Sequence, residues 1–112
     1  MEKTRFMFAF MAALGAVALS AQAQAPAYPA RSIRLIVPFS PGGASDLTAR
    51  TLAHKMGESM GQTIVVDNKP GANGVLGLDL AAKAAPDGYT LVLTDRGSLT
   101  VNPSLYRQLA YD

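Results

Sequence analysis

The chain contains no cysteine and no tryptophan, and it has only one histidine among its 112 residues. Without cysteine there is no disulfide framework and no cysteine that could carry a lipid anchor. With one histidine and no cysteine, the sequence has no ligand cluster typical of a zinc site. The formal net charge is only +2, so no basic patch indicates binding to nucleic acid or to an anionic membrane.

Catalytic motifs are also missing. The sequence has no GxSxG nucleophile elbow, no GxGxxG run and no P-loop. His54 follows Asp46 by eight residues on a predicted helix, a separation of more than two helical turns that prevents a direct acid–base hydrogen bond. We therefore predict no catalytic residue, no metal site and no cofactor in this chain, and we expect that it is not an enzyme.

Long apolar runs are confined to the start of the chain. Two basic residues precede an uncharged apolar run over residues 6–19, and small residues with A-x-A spacing follow it. This pattern predicts a signal peptide over residues 1–23 with cleavage after Ala23. A retained membrane anchor is the alternative, but the run is shorter than the ~20 residues that span a bilayer. We expect a soluble periplasmic product that starts at Gln24 and is not stably inserted in the membrane.

The spacing of apolar residues then predicts alternating strands and helices. The nearly continuous apolar run in residues 32–39 is typical of a central parallel strand covered on both faces. An amphipathic helix is predicted from Ser45, which we expect to be its N-cap, to the stop at Gly61. Asp46 would lie at the positive end of the helix dipole.

Two further strands and a second helix complete the pattern. Short connections between alternating strands and helices favour a doubly wound α/β fold with a parallel βαβαβ arrangement. The second helix is predicted to pack through its apolar residues Leu76, Leu80 and Ala84. The remaining predicted elements are strands at residues 63–66 and 89–94, a helix at 75–85, a loop at 95–98 and a helical turn around 103–109.

The loop SPGGAS lies between the first strand and the first helix. In an open parallel sheet, ligands bind beyond the carboxyl ends of the strands, where amides at a helix N-terminus carry partial positive charge. Gly42 and Gly43 have no Cβ, so a ligand can approach the backbone closely. The loop therefore favours an anionic ligand, either a carboxylate or a phosphate. Asp46 would either cap the helix or orient a water or a ligand donor.

Two other loops are predicted at the same edge of the sheet. The turn-rich connection at residues 68–74 would either line the mouth of a site or only form the turn. Arg96 follows the third strand, where its guanidinium would either pair with a carboxylate or be solvated.

Four sequence runs together resemble the N-terminal part of the Bug-type extracytoplasmic solute receptors, the substrate-binding proteins of tripartite tricarboxylate transporters. These runs are YPARSIRLIVPFSPGGASDLTAR, VVDNKPGANGVLG, APDGYTLVL and NPSLY. The resemblance covers essentially all of residues 24–112. It implies a hinged, two-domain type II periplasmic binding protein, of which residues 24–112 form the N-terminal part of the first domain and the second domain is absent.

The resemblance also implies a function. Such a receptor captures a small carboxylate, delivers it to membrane permease subunits and carries out no chemistry. By position, the ligand contacts would fall on two segments. The implied ligand-binding residues are Ser40, Pro41, Gly42, Gly43, Ala44, Ser45 and Asp46 after the first strand, and Asp95, Arg96, Gly97 and Ser98 after the third.

Two hypotheses from other classes stay open at this point. One is a fragment of an exported α/β enzyme whose catalytic residues lie elsewhere, and the other is a self-associating exported half-domain that pairs through an exposed sheet edge. The absence of a nucleophile and base within reach of each other argues against the enzyme.

Overall fold

The computed structural model describes residues 27–111, so the predicted signal peptide lies outside the described residues. Three parallel strands form a sheet of order β2-β1-β3, and helices connect them. This arrangement confirms the predicted parallel βαβαβ pattern. The elements are β1 (Ile33–Val37), α1 (Ala44–Met60), β2 (Ile64–Asn68), a 3-10 turn (Ala72–Gly74), α2 (Val75–Ala82), β3 (Thr90–Val92), α3 (Arg96–Thr100) and α4 (Asn102–Leu105).

The main core lies between the sheet and α1. Successive strand residues point to opposite faces, and β1 directs Ile33, Leu35 and Val37 toward α1. The helix contributes Ala49 and Ala53 to this cluster, and these small side chains let it lie close to the strands. As predicted, α1 ends at Gly61, whose φ of 67° is the left-handed conformation that favours glycine.

The prediction for the packing of α2 was wrong. Leu76 and Leu80 are 54% and 42% exposed, and the helix instead buries Gly77 and Leu78. A Cβ on Gly77 would lie only 2.7 Å from the Cβ and 2.9 Å from the Cα of Pro38. The face of α2 that carries Gly77 therefore makes the contact, because only that face lets the helix approach Pro38 so closely. The helix also ends earlier than predicted, at Ala82 rather than at residue 85.

Helix starts also differ from the predictions. Ser45 is not the N-cap of α1: the helix begins at Ala44, and Gly43 caps it in an extended conformation without a side-chain hydrogen bond. Residues 95–98 are not a loop, because the Asp95 carboxylate accepts a hydrogen bond from the Ser98 amide and caps the short helix α3. The helical turn expected around residues 103–109 is α4, which starts earlier, at Asn102.

The strand order places a topological switch point beside β1. The chain leaves the central strand β1 through α1 to β2 on one side, and then crosses through α2 to β3 on the other side. α1 packs on one face of the sheet, whereas Leu78 of α2 lies beside Thr90 and Val92 on the other face. In such sheets ligands bind at the carboxyl ends of the strands where the order reverses. The loops that leave β1 and β3 flank that point.

Candidate ligand-binding site at the carboxyl edge of the sheet

The loop after β1 presents open backbone amides. Ser40 and the following residues up to Ala44 are exposed, and Gly42 turns the chain with a φ of 83°. Because the N-cap Gly43 supplies no side-chain acceptor, the amides of Ala44 and Ser45 in the first turn of α1 have no cap among residues 27–111. These amides and the dipole of a 17-residue helix create a locally positive edge that suits an anion.

The Asp46 side chain holds this loop in place through hydrogen bonds. Its carboxylate is buried and accepts hydrogen bonds from the Gly42 amide at 2.8 Å, from Arg50 Nε at 3.0 Å and from Asn68 Nδ2 at 3.0 Å. The same Asn68 nitrogen also donates to the Phe39 carbonyl at 3.1 Å. The loop after β1 is therefore tied to the end of β2 through Asp46 and Asn68.

These donors keep Asp46 ionised. The hydrogen bond from Arg50, followed by that from the Gly42 amide, lowers the pKa of the Asp46 carboxyl to about 2. Of the roles left open by the sequence, the contacts favour a structural one, in which Asp46 braces the loop rather than only capping the helix. The partner Arg50 lies four residues along the helix, a spacing that the sequence shows, but nothing in the sequence indicates Asn68.

We expect the stability of the chain to fall in acid because of Asp46. The folded-state pKa of about 2 lies below the ordinary value of 3.8, so the stabilisation is complete above pH ~4 and is lost as the pH falls toward 2. Asp46→Asn should lower the thermal unfolding midpoint at pH 7 by roughly 5 to 10 °C and flatten its dependence on pH between 4 and 2.

Thermal unfolding followed by circular dichroism checks this expectation. Glu58→Gln is the control, because Glu58 lies in an exposed ion pair with Lys55 on the same helix, and it should keep the pH dependence of the unaltered chain. Equal slopes in Asp46→Asn and the unaltered chain would rule out this role for Asp46.

The segment after β3 is ordered by Asp95. Its carboxylate accepts a hydrogen bond from the Ser98 amide at 2.7 Å and is thereby directed at the backbone of α3. The hydrogen bonds from the Ser98 amide and hydroxyl lower the pKa of the Asp95 carboxyl. Ser98 itself is buried. Arg96 is exposed and forms no ion pair with any residue of the described part of the chain.

The three loops at this edge meet at Gly74. This residue is buried, and a Cβ on it would lie 2.9 Å from the Ser98 hydroxyl oxygen and 3.6 Å from the Cβ of Pro38. The connection after β2 thus does more than make a turn, because it packs between the segments that follow β1 and β3. The structure therefore brings the two predicted ligand-binding segments to one edge of the sheet.

Other parts of the described chain offer less evidence of a binding site. A groove of about 470 Å³ is lined by residues of all three strands, among them Arg34, Val65 and Thr90, and none of its lining residues belongs to the predicted segments. Residues 27–111 hold no group of three side chains suited to a metal ion. Over the same range, no helix is both long and apolar enough to cross a membrane.

Comparison with known proteins identifies the family of the chain. A family model described as the tripartite tricarboxylate transporter family receptor matches residues 48–112. The chain belongs to this receptor family. Protein BugT of Bordetella pertussis (strain Tohama I) is 43% identical over 112 residues, which cover 99% of this chain and 34% of that protein.

Solved structures of receptors share the fold. The periplasmic binding protein BugD superposes with a TM-score of 0.73 at 44% identity over 76% of this chain and 28% of BugD. MatC from Rhodopseudomonas palustris, solved with bound malate, superposes with a TM-score of 0.71 at 38% identity over 75% of this chain and 29% of MatC. The chain spans about a third of the length of these relatives. These relatives are solute-binding receptors rather than enzymes.

Proposed function

We propose that the chain is part of a periplasmic solute-binding protein that captures a small carboxylate for a tripartite tricarboxylate-type transporter. Family membership and the likeness to BugD and to malate-bound MatC support this proposal. The observation that carries it is the open N-terminus of α1 at the switch point of the sheet, bordered by the loop that contains Gly42 and Gly43. The predicted signal peptide supports the periplasmic location.

The loop after β1 would bind one carboxylate group through its backbone. The amides of Ala44 and Ser45 have no side-chain cap, and the missing Cβ of Gly43 leaves the approach to them free. A planar carboxylate accepts hydrogen bonds from neighbouring amides at a helix N-terminus, and the helix dipole favours its charge. Asp46 does not neutralise this edge entirely, because its carboxylate is already paired with Arg50.

Arg96 would bind a second carboxylate group of the ligand. It follows β3, on the other side of the switch point, and its side chain is exposed and unpaired among residues 27–111. A guanidinium binds a carboxylate through two parallel hydrogen bonds. One carboxylate on the amides of α1 and a second on Arg96 would make a dicarboxylate the preferred ligand.

The described residues would form one wall of the site. A cleft that buries most of a small ligand needs a second wall, and the relatives are about three times as long as this chain. We propose that the second wall and the contact with the membrane permease subunits belong to the corresponding remainder of a complete receptor. The relatives are solute-binding receptors, which supports neither an enzyme fragment nor a self-associating half-domain.

A chimeric receptor tests the proposal. Residues 27–111 are joined to the part of malate-bound MatC that lies outside the matched region, and binding of malate, succinate, citrate, acetate and the uncharged succinamide is measured by calorimetry. We expect the dicarboxylates to bind, acetate to bind at least tenfold more weakly, and succinamide not to bind. A folded chimera that binds none of the acids would contradict the proposed function.

The role of Arg96 is tested in the same chimera. Removing one charge-assisted bidentate contact should weaken malate binding by roughly 10- to 100-fold, so Arg96→Ala should lose most of the preference for malate over acetate. Arg107→Ala removes another exposed arginine outside both ligand-binding segments and should leave the affinity unchanged. Equal malate affinity in Arg96→Ala and the unaltered chimera would remove Arg96 from the site.

A further inference from the structure

Asn102 is a fully buried polar residue outside both predicted ligand-binding segments. Its side-chain amide donates to the backbone carbonyl of Asn73 at 3.0 Å and to the Tyr111 hydroxyl at 3.1 Å. Its side-chain oxygen accepts from Asn73 Nδ2 at 2.8 Å. Both polar atoms of the buried amide are therefore satisfied, as the cost of burying a polar group requires.

The network continues into the segment after β3. The Tyr111 hydroxyl accepts from Asn102 and donates to the backbone carbonyl of Ser98 at 2.5 Å. Ser98 is also the residue whose amide donates a hydrogen bond to the capping carboxylate of Asp95. A continuous line of hydrogen bonds thus joins the connection after β2, at Asn73, to the proposed ligand-binding segment at Ser98. We call Asn73, Asn102 and Tyr111 the asparagine clasp.

Apart from the Asp95 cap and the packing of Ser98 beside Gly74, few contacts hold the segment. The helices α3 and α4 have five and four residues, lengths at which a helix is not stable by itself. Their apolar side chains Leu99, Val101 and Leu105 are 49% to 67% exposed, so apolar burial contributes little to their position. A satisfied polar network rigidifies and specifies one arrangement, and the clasp is the polar network that reaches this segment.

We propose that Asn102 and Tyr111 are positioning residues, which keep the backbone from Asp95 to Ser98 ordered at the switch point and so hold Arg96 in place for a ligand. The effect on ligand affinity rests on the proposed function, whereas the ordering of the backbone does not. Residues of the clasp do not themselves contact the carboxylate. They limit the conformational entropy that the segment would otherwise lose on binding.

Tyr111→Phe is the variant of choice. Asn102→Ala would remove all three side-chain hydrogen bonds of this buried residue at once and is expected to disturb the fold. Tyr111→Phe removes one hydroxyl that donates to a backbone carbonyl and keeps the ring. Tyr28→Phe is its matched control, because the Tyr28 hydroxyl also donates to a backbone carbonyl, that of Gly88, at 2.7 Å, in a part of the chain far from the proposed site.

Two measurements separate positioning from simple stabilisation. Amide hydrogen exchange of residues 96–101 is measured in the chain itself, and malate affinity is measured in the chimeric receptor. We expect Tyr111→Phe to speed exchange of these amides at least tenfold relative to the rest of the chain and to weaken malate binding about tenfold. Tyr28→Phe should change neither quantity, even where both variants unfold at similar temperatures.

The outcomes are distinct. Exchange at residues 96–101 that is no faster in Tyr111→Phe than in Tyr28→Phe would overturn the clasp. Faster exchange with unchanged malate affinity would overturn the link between the clasp and the ligand. If the unaltered chimera binds no acid, the proposed function fails, and the exchange measurement alone still decides whether the clasp orders the segment.

Discussion

Gly43→Val in the chimeric receptor should lower malate affinity about 100-fold, or ~3 kcal/mol, without unfolding the protein. The φ of Gly43 is −81°, which any residue adopts, and a Cβ there would contact only the Ser40 carbonyl oxygen at 3.6 Å, an ordinary contact distance. The valine methyl groups would instead occupy the space from which a carboxylate reaches the amides of Ala44 and Ser45. Calorimetry with malate and thermal unfolding measure the two effects separately.

A control on the same helix separates bulk at the site from β-branching in general. Ser59→Val adds a similar side chain at an exposed position near the other end of α1, and it should leave the malate affinity unchanged. Gly42 is a poorer choice for this test, because its φ of 83° would strain any side chain. Unchanged affinity in Gly43→Val would withdraw the loop after β1 from the proposed site.

Gly77→Ala should destabilise the chain by about 2 to 3 kcal/mol, although alanine is the better helix former by ~1 kcal/mol. The new Cβ would lie 2.7 and 2.9 Å from two atoms of Pro38 and 3.0 Å from the Lys69 carbonyl oxygen. Two of these three atoms belong to the backbone, at the ends of β1 and β2, so they cannot move aside without shifting the strands. Chemical denaturation followed by circular dichroism measures the change in unfolding free energy.

Gly97→Ala is the matched control for that substitution. Gly97 is also a helical glycine, but a Cβ there would meet only the Asp95 carboxylate oxygen at 3.6 Å. It should leave the stability unchanged or raise it by up to ~1 kcal/mol. Equal effects of the two substitutions would show that the contact between α2 and Pro38 does not limit the stability.

The fold class could be predicted from the sequence because its signals are local. The continuous apolar run of β1 and the three-to-four spacing of α1 depend on residues within one element, and so does the stop at Gly61. The boundaries at Ser45 and Asp95 were missed because capping depends on the backbone conformation. A serine before an apolar pattern satisfies the N-cap rule, yet Gly43 adopts the extended conformation that starts α1.

For the candidate site, too, the sequence could predict one part and could not predict another. Loops after parallel strands of one sheet must lie at one edge, so the sequence could place Ser40–Asp46 and Asp95–Ser98 on a common side. The contacts that hold these loops could not be predicted. Asp46 and Asn68 are 22 residues apart, and Asn73 and Asn102 are 29 residues apart, and no periodic pattern relates residues at such separations.

The parallel α/β class, the order of the elements and the glycine-containing loop at the head of α1 follow from local patterns, since apolar periodicity and turn-forming residues act over a few neighbours. Contacts between distant segments are what make Asp46 the brace of this loop, pack α2 through Gly77 instead of its leucines, and bring Asn102 and Tyr111 to Ser98. These features arise from close approach between segments distant in the chain, where the lack of room for a Cβ between Gly77 and Pro38, or a single buried amide, selects the arrangement.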